Sequence, residues 1–354
     1  MSDLWPEIDS KKRVLVTGIG GNIGAHLMAH IFTNTNWEIV GLDSFRQKGD
    51  KSRIDDFCAD HPDWKPRLHL FQTDLCCPIS EKLRSDMGKI DYILHLAAIS
   101  DVQFSVENPV YSIKNNVDST LVMLELAREI KPDVFIQFST DEIYGPVAEG
   151  SEAHKEWDTH RPSNPYSASK AATEDIAYAY WRTYDVPVII TNTMNNFGEA
   201  QSGSKFPAIV QSKVNAGEVV KIHGNSEEIG SRFYIHSRNV ADAMLWILNK
   251  GAYHHKPGKI DEPHKYHIVG NKRLNNLELA QMIAGYMGKD LKFEFQDFHK
   301  DNPGHDIHYG MIDTKLRAGG WKPPISLEDS LKNTVEWQMV NTKWLRWANT
   351  IYQF

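Results

Sequence analysis

The chain has 354 residues, of which 41% are hydrophobic and 24% are charged, and its formal net charge at pH 7 is -7. This length exceeds that of a usual single core, and the composition excludes a disordered or fibrous protein. The negative charge gives no general attraction to nucleic acid or to anionic lipid, so neither a nucleic-acid nor a membrane partner is expected.

The cysteines and the N-terminus bear on the compartment. Cys58, Cys76 and Cys77 are an odd number with one adjacent pair, which argues against a disulfide framework and favours a reducing compartment. The first residues lack a basic and then apolar leader, and no run is long and apolar enough to span a bilayer. We therefore expect a cytoplasmic protein.

Short apolar runs alternate with helical patterns in the first half of the chain. The runs lie at 14–16, 39–43, 68–71, 92–96, 134–138 and 186–190, and the clearest helical patterns lie at 110–130 and 166–184. Apolar strands that alternate with helices indicate a parallel sheet covered on both faces. The predicted fold class is therefore α/β, a doubly wound parallel sheet of the Rossmann type with a smaller mixed α/β lobe.

This alternation stops near residue 193, where the elements shorten and glycine, proline and histidine become frequent. We predict a dinucleotide-binding domain over 1–192, completed by 233–265. Residues 193–232 and 266–354 are predicted to form a substrate-binding lobe and a C-terminal helix. That helix carries an aromatic and aliphatic stripe at three-four spacing, which is expected to pack on the chain's own body or on a partner subunit. The stripe consists of Trp337, Val340, Trp344, Trp347 and Ile351.

The first strand leads into a turn with three glycines, Gly18, Gly21 and Gly24, followed by a helical pattern. Such a turn lets the backbone approach a pyrophosphate and directs helix amides at it. Asp43 ends the second strand, where a carboxylate can accept hydrogen bonds from a ribose. Because this carboxylate would repel a 2′-phosphate, NAD is favoured over NADP, although Arg46 and Lys48 lie nearby in the sequence.

Asp74 follows the third strand and is either a contact for the adenine amine or a helix cap. Four histidines, His254, His255, His264 and His267, fit no firm ligand spacing. We expect no metal site and a solvated loop at these histidines.

Two acid/base pairs carry the predicted chemistry. Tyr166 and Lys170 are four residues apart at the start of a helix, so the ammonium can lie beside the phenol and favour its phenolate. Asp141 and Glu142 add a carboxyl pair, which removal of water from a carbon skeleton needs and simple alcohol oxidation does not. These residues predict oxidation, elimination and reduction in one site.

The glycine triplet, Leu96-Ala97-Ala98, Asn116, Thr140 and the Tyr166/Lys170 pair occur in the order found in the extended short-chain dehydrogenase/reductase family. Within that family the chain resembles the sugar-nucleotide 4,6-dehydratases over nearly its whole length. The most specific matching segments are 139–145, 165–172, 182–184, 191–198, 303–306 and 320–323. Related epimerases and decarboxylases carry Ser or Ala at the position of Asp141.

The resemblance implies a mechanism with a recycled NAD. Tyr166, helped by Lys170 and Thr140, takes the proton of the sugar 4-hydroxyl during oxidation at C4. Glu142 then takes the C5 proton, and protonated Asp141 donates to the departing 6-hydroxyl. The product would be a 4-keto-6-deoxy sugar.

The resemblance also implies a homodimer that associates through the helices around 110–128 and 166–184. It further implies which residues bind the ligands. The implied cofactor-binding residues are Gly18, Gly21, Asn22, Ile23, Gly24, Asp43, Asp74, Leu75, Leu96, Ala97, Ala98, Tyr166 and Lys170. For a nucleoside diphosphate hexose they are Ser100, Asn195, Asn196, Lys205, Arg232 and His305.

The chain departs from the dTDP-glucose pattern around the substrate. Asp101, Gln103 and Phe104 replace a His, an Asp and an Arg, and Asn302 replaces an Arg. The nucleotide and the hexose therefore stay open. A 4-epimerase, a decarboxylase or a 5,6-dehydratase on the same scaffold is the alternative function, and a non-catalytic dinucleotide-binding protein is a further one.

Overall fold

The computed structural model describes residues 11–147, 152–250, 262–297, 304 and 306–345. The described strands are β1 (Arg13–Thr17), β2 (Glu38–Asp43), β3 (Leu68–Gln72), β4 (Tyr92–His95), β5 (Val134–Thr140), β6 (Val188–Thr193), β7 (Asn195–Phe197), β8 (Val220–His223), β9 (Ser231–His236), β10 (His264–Ile268), β11 (Arg273–Asn275) and β12 (Phe293–Gln296). The described α-helices are α1 (Asn22–Asn34), α2 (Lys51–Cys58), α3 (Glu81–Met87), α4 (Val102–Glu107), α5 (Pro109–Ile130), α6 (Pro165–Tyr184), α7 (Phe206–Ala216), α8 (Ser237–Lys250), α9 (Asn276–Met287), α10 (Thr314–Ala318) and α11 (Leu327–Val340).

Seven strands form one sheet in the order β10-β6-β5-β4-β1-β2-β3, and every neighbouring pair is parallel. Side chains alternate between its two faces, as the pleat requires. Val14 and Val16 lie in the core beneath α1 and α8, whereas Leu15 lies in the core beneath α5 and α6. The predicted doubly wound α/β fold is confirmed.

The remaining strands form two small sheets, β11-β9-β7 and β12-β8, which share a separate hydrophobic core with α7, α9 and α11. These strands and helices form the smaller mixed α/β lobe. The predicted domain boundaries stay a prediction. In the structure α8 packs on α1, and β10 continues past residue 265 to Ile268 in the large sheet.

Two sequence interpretations of the second half are wrong. The C-terminal stripe does not occupy one helix face, because α11 ends at Val340, which is 83% exposed. Trp344 lies on a following 3-10 turn and packs on the chain's own body, with its indole N–H donating to Asp56 Oδ2 at 2.9 Å. Trp347 and Ile351 lie outside the described residues.

The histidine stretch is not a solvated loop where it is described. His264 and His267 lie on β10, and His267 is fully buried. Its Nε2 is 2.8 Å from Tyr144 Oη, and its Nδ1 is 2.9 Å from Ile312 O. The sequence did not indicate this strand because its residues are mostly polar, and polar residues usually indicate exposure. Here Lys265 and His267 are buried instead. His254 and His255 lie outside the described residues.

Candidate active site

A cleft runs along the carboxyl ends of the parallel strands, which is where open α/β sheets bind ligands. Gly18 follows β1, Asp43 ends β2, and Thr140 ends β5, and all three line the cleft. The fold therefore gathers residues that are far apart in the sequence along one edge of the sheet.

The glycine turn is shaped by close backbone contacts. Gly18 has φ +68°, a conformation that favours glycine, and a Cβ on Gly24 would lie 2.3 Å from Gly18 O. Gly21 is the N-cap of α1 and has no side chain to satisfy the amides of the first turn. These residues fit a dinucleotide, because uncapped helix amides that line a cleft suit a pyrophosphate.

The Asp43 carboxylate is fixed by the backbone. Its Oδ2 accepts from Gly20 N at 2.9 Å and its Oδ1 accepts from Phe45 N at 2.8 Å. Burial raises the pKa of Asp43, and these backbone N–H groups oppose the rise. Each oxygen still has a lone pair for a ribose hydroxyl.

The nearby cations are paired with other carboxylates. Arg46 Nη1 is 2.8 Å from Asp74 Oδ2, and the Lys48 ammonium pairs with Asp101. Asp74 also accepts from Cys76 N at 3.0 Å within a turn. No described helix begins there, so Asp74 is not a helix cap, and its contact with the adenine amine stays a prediction. Arg46 and Lys48 are therefore both engaged in ion pairs, and neither is placed to bind the 2′-phosphate of NADP beside Asp43.

The turn after β4 is held by a buried threonine. Thr17 Oγ1 accepts from both Leu96 N and Ala97 N at 3.1 Å and lies 2.8 Å from His95 Nδ1. Asn116 on α5 then bonds both the N–H and the C=O of Ile99. These hydrogen bonds position this wall of the cleft, which carries Leu96, Ala97, Ala98 and Ser100.

The Tyr166/Lys170 pair lies in the first turns of α6. Asn164 caps this helix through a capping box with Ser167, and Pro165 occupies its first position. Lys170 Nζ donates to Phe138 O at 2.6 Å, and burial lowers the pKa of Lys170 to about 8, with Glu174 opposing. Both side chains are buried and line the cleft.

Tyr166 does not show the lowered pKa that its spacing from Lys170 suggested. Burial raises its pKa above the usual range, the charge of Glu142 adds to this, and a hydrogen bond with Thr140 opposes it. Desolvation outweighs the favourable hydrogen bond because the phenol is buried, and the nearby carboxylates disfavour a second negative charge. In the free protein the phenol therefore keeps its proton.

Asp141 and Glu142 lie on the 3-10 turn after β5 and line the same cleft. Burial raises the pKa of Asp141 to about 7, with the Glu142 charge adding and Arg232 opposing. Its Oδ1 accepts from Thr140 Oγ1 at 3.1 Å, whereas its buried Oδ2 has no partner among the described residues. A carboxyl in this environment holds a proton near neutral pH.

Glu142 is placed by a different set of contacts. Asn164 Nδ2 donates to Glu142 Oε2 at 3.0 Å. Burial raises the pKa of Glu142, whereas this hydrogen bond and the charges of Lys205 and Arg232 lower it. The two carboxyls thus have distinct surroundings, which is how an acid and a base are separated within one site.

The predicted substrate residues divide into three groups. Ser100, Asn195, Asn196 and Lys205 line the cleft. Arg232 lies behind it, buried over the Tyr309 ring at 4.5 Å, and donates to Ile307 O and Asp306 O at 2.5 Å. Its charge still acts on Asp141 and Glu142. His305 lies outside the described residues.

All other predicted site residues line this one cleft, namely Gly18, Gly21, Asn22, Ile23, Gly24, Asp43, Asp74, Leu75, Leu96, Ala97, Ala98, Thr140, Asp141, Glu142, Tyr166 and Lys170. The structure adds residues for which the sequence offers no signal, notably Arg53, Gln201 and Ser202. Arg53 is buried and donates to Ala200 O at 2.8 Å. An arginine inside a polar helix pattern looks like a surface residue.

His26, Glu199 and His236 form one buried cluster with the composition of a metal site. Arg238 N donates to His236 Nδ1 at 3.0 Å, so Nε2 carries the proton of the neutral ring and donates to Glu199 Oε2 at 2.9 Å. A protonated Nε2 cannot bind a metal. Glu199 O also accepts from Asn22 Nδ2 at 2.8 Å, so the cluster is a hydrogen-bonded tie between α1 and the segment after β7.

The sequence profile of the GDP-mannose 4,6 dehydratase family matches residues 15–334. The chain belongs to this family. It is 30% identical over 349 residues to the dTDP-glucose 4,6-dehydratase of Haemophilus influenzae, covering 93% of this chain and 98% of that protein. It superimposes on the crystal structure of a dTDP-glucose 4,6-dehydratase from Streptomyces venezuelae with a TM-score of 0.81 and 28% identity, covering 94% of this chain and 98% of that one.

That crystal structure contains NAD. A UDP-glucose 4-epimerase of Thermus thermophilus, also solved with NAD, has a TM-score of 0.77 and 25% identity and covers 92% of this chain and 98% of its own. The predicted membership among sugar-nucleotide dehydratases and the predicted NAD cofactor are confirmed. Among the described helices, none combines the length and apolar character needed to cross a bilayer.

Proposed function

We propose that the chain is an NAD-dependent nucleoside diphosphate-hexose 4,6-dehydratase, a hydro-lyase that forms a 4-keto-6-deoxy sugar. The observation that carries the proposal is the meeting of two acid/base pairs in one cleft, Asp141 with Glu142 and Tyr166 with Lys170. An epimerase needs only the second pair. The relatives named dTDP-glucose 4,6-dehydratase support the same reaction.

The residues have separate roles in three stages. Tyr166 must be ionised to accept the proton of the sugar 4-hydroxyl, so the loaded site has to lower its pKa from the raised value in the free protein. The positive charge of Lys170 and the hydrogen bond with Thr140 favour this phenolate. Glu142 removes the C5 proton once the 4-ketone has acidified it. Asp141 protonates the 6-hydroxyl as the C6–O bond breaks, so that water leaves. NAD, when bound, would supply the redox chemistry, as the acceptor of hydride from C4 and its donor to C6. The addition at C6 is balanced by a proton that returns to C5.

The proposed cofactor and substrate contacts follow the two halves of the cleft. The amides of Gly21, Asn22 and Ile23 hold the pyrophosphate of NAD, and Asp43 holds its adenosine ribose. Asn196 and Lys205 would bind the substrate diphosphate from the cleft, and Arg232 would join them. Arg232 would have to exchange its carbonyl partners for phosphate oxygens, since its donors are engaged with Ile307 and Asp306 in the free protein.

The proposed enzyme is cytoplasmic and homodimeric. Support for the dimer comes from exposed apolar side chains on α5 and α6, the helices expected to associate. Val110 is 71% exposed and Tyr184 is 45% exposed. Size-exclusion chromatography with light scattering tests this assembly, and a monomer at micromolar concentration would reject it.

The reaction is tested with dTDP-, UDP-, CDP- and GDP-hexoses in deuterated water, with products read by mass spectrometry and NMR. A 4,6-dehydration gives a product lighter by one water with solvent deuterium at C5. Substrate deuterated at C4 delivers its label to C6. A product of unchanged mass whose label stays at C4 would identify a 4-epimerase instead, and absence of the label from C6 would indicate a 5,6-dehydratase.

A further inference from the structure

Lys48 reaches across the cleft from the segment between β2 and α2. Its ammonium donates to Asp101 Oδ2 and, at 2.6 Å, to Ser204 Oγ. Asp101 is the N-cap of α4, and Ser204 lies just before α7 of the smaller lobe. One side chain thus joins three separate parts of the fold.

A second lysine holds the same segment from the lobe side. Lys205 Nζ donates to Ser100 O at 3.1 Å. Lys48, Ser100, Asp101 and Lys205 all line the cleft together with Gly21 and Asp43. The ammonium groups of Lys48 and Lys205 therefore both bind the segment 100–101, which lies in the wall of the proposed cofactor site.

The Lys48–Asp101 pair is neither fully exposed nor fully buried. The two side chains are 24% and 19% exposed. Burial lowers the pKa of Lys48 to about 8, the charge of Lys205 adds to this, and Asp101 opposes it. Burial works to raise the pKa of Asp101, but Lys48 outweighs it and the pKa is lowered. Partial desolvation makes such a pair stronger than an exposed surface pair.

We propose that Lys48, Asp101 and Ser204 form a clasp that closes the cleft over bound NAD and slows its release. The clasp connects the nucleotide half to the substrate lobe, so NAD leaves on this side only after these contacts separate. Retention matters because the cofactor is reduced and reoxidised within one turnover. This inference rests on NAD binding in the proposed function and not on the dehydration chemistry.

The test measures NAD release without any nucleotide sugar. The protein is loaded with radiolabelled NAD, an excess of unlabelled NAD is added, and loss of label is followed. Lys48→Met and Asp101→Asn should each release label about tenfold faster, the cost of one charged hydrogen-bonded contact. The double variant Lys48→Met/Asp101→Asn should release label hardly faster than the faster single variant, because both substitutions remove the same contact.

The matched control is Lys82→Met, which removes an exposed pair with Asp86 at 2.9 Å on α3 and should leave release unchanged. Asn is a good helix cap, so Asp101→Asn removes the charge while keeping the start of α4, and it decides the question if Lys48→Met fails to fold. Release from the folded single variants at the wild-type rate, or fully additive effects of the two substitutions in the double variant, would overturn the clasp. Because no substrate is present, either result stands apart from the outcome of the dehydration assays.

Discussion

Asn164 holds Glu142 in the cleft while it caps the helix that carries Tyr166. Its side-chain nitrogen donates to Glu142 Oε2 and to Gly304 O, each at 3.0 Å, and its side-chain oxygen accepts from Ser167 N at 2.8 Å. One side chain therefore positions the proposed base of the elimination and the start of α6. The position of Glu142 is thereby linked to the start of the helix that carries Tyr166 and Lys170.

Replacing Asn164 should separate its two roles. Asn164→Ser keeps a helix-capping oxygen but loses the amide donor to Glu142, so the pKa of Glu142 should rise. Because Glu142 must be ionised to act, the acidic limb of the pH–rate profile should shift to higher pH. Asn164→Ala should show the same shift in the pH–rate profile and also lose about 1 kcal/mol of stability in urea unfolding. A wild-type pH profile for Asn164→Ser would contradict this assignment.

Glu142→Gln should lose about 10²-fold or more in turnover, because the amide cannot accept the C5 proton. Bound NAD should stay, since Glu142 carries no proposed cofactor contact. The measurement pairs product formation with the ratio of NAD to protein. Near-wild-type dehydration by this variant would remove Glu142 from the mechanism.

Asp141 should set the alkaline side of the pH–rate profile. Its pKa is raised to about 7, and as the proposed acid it must be protonated, so turnover should decline as the pH rises through about 7. Asp141→Asn should lose most turnover, about 10²-fold or more, and the residual activity should lack the decline near pH 7 while keeping one near pH 8, where Lys170 loses its charge. The wild-type and variant profiles of kcat between pH 5 and about 9 check both points. An unchanged alkaline decline in Asp141→Asn would assign it to another group.

Gly24→Ala should abolish NAD binding. The added Cβ would lie 2.3 Å from Gly18 O and 2.8 Å from the Cα of Ile19, so the helix start would have to move away from the turn. We expect the purified variant to lack NAD and to melt at a lower temperature. Gly285→Ala is the matched control, because nothing lies within 4 Å of its added Cβ in α9, and it should keep NAD. Full NAD content in Gly24→Ala would show that the turn adapts.

The parts of the fold that the sequence predicted are those with a local signal. Strand runs such as 134–138 and the helix that begins at Pro165 follow from apolar continuity and from caps, and both lie where expected. The catalytic segments and the glycine turn are also local signals, because the residues that define each of them are close together in the sequence. Their meeting in one cleft follows from the parallel order of the strands.

The parts that were missed depend on contacts between distant residues. Nothing near Arg53 in the sequence shows that it bonds Ala200 and lies over the Trp344 ring at 4.8 Å. The ion pair of Lys48 with Asp101 likewise joins two separate loops. The sequence therefore showed Lys48 near Asp43 but did not show the carboxylate that pairs with it. The expected lowering of the Tyr166 pKa failed for the same reason, because burial is set by the whole wall of the cleft.

The tie formed by Glu199 has a consequence for any attempt to divide this protein. Asn22 and His26 on α1, and Arg53 on α2, all bond to residues 199 and 200, which belong to the second half of the chain. A fragment cut after residue 192 would lack the Glu199 and Ala200 carbonyls that Asn22, His26 and Arg53 contact. We therefore expect the isolated cofactor half to be less stable than the same residues in the whole chain.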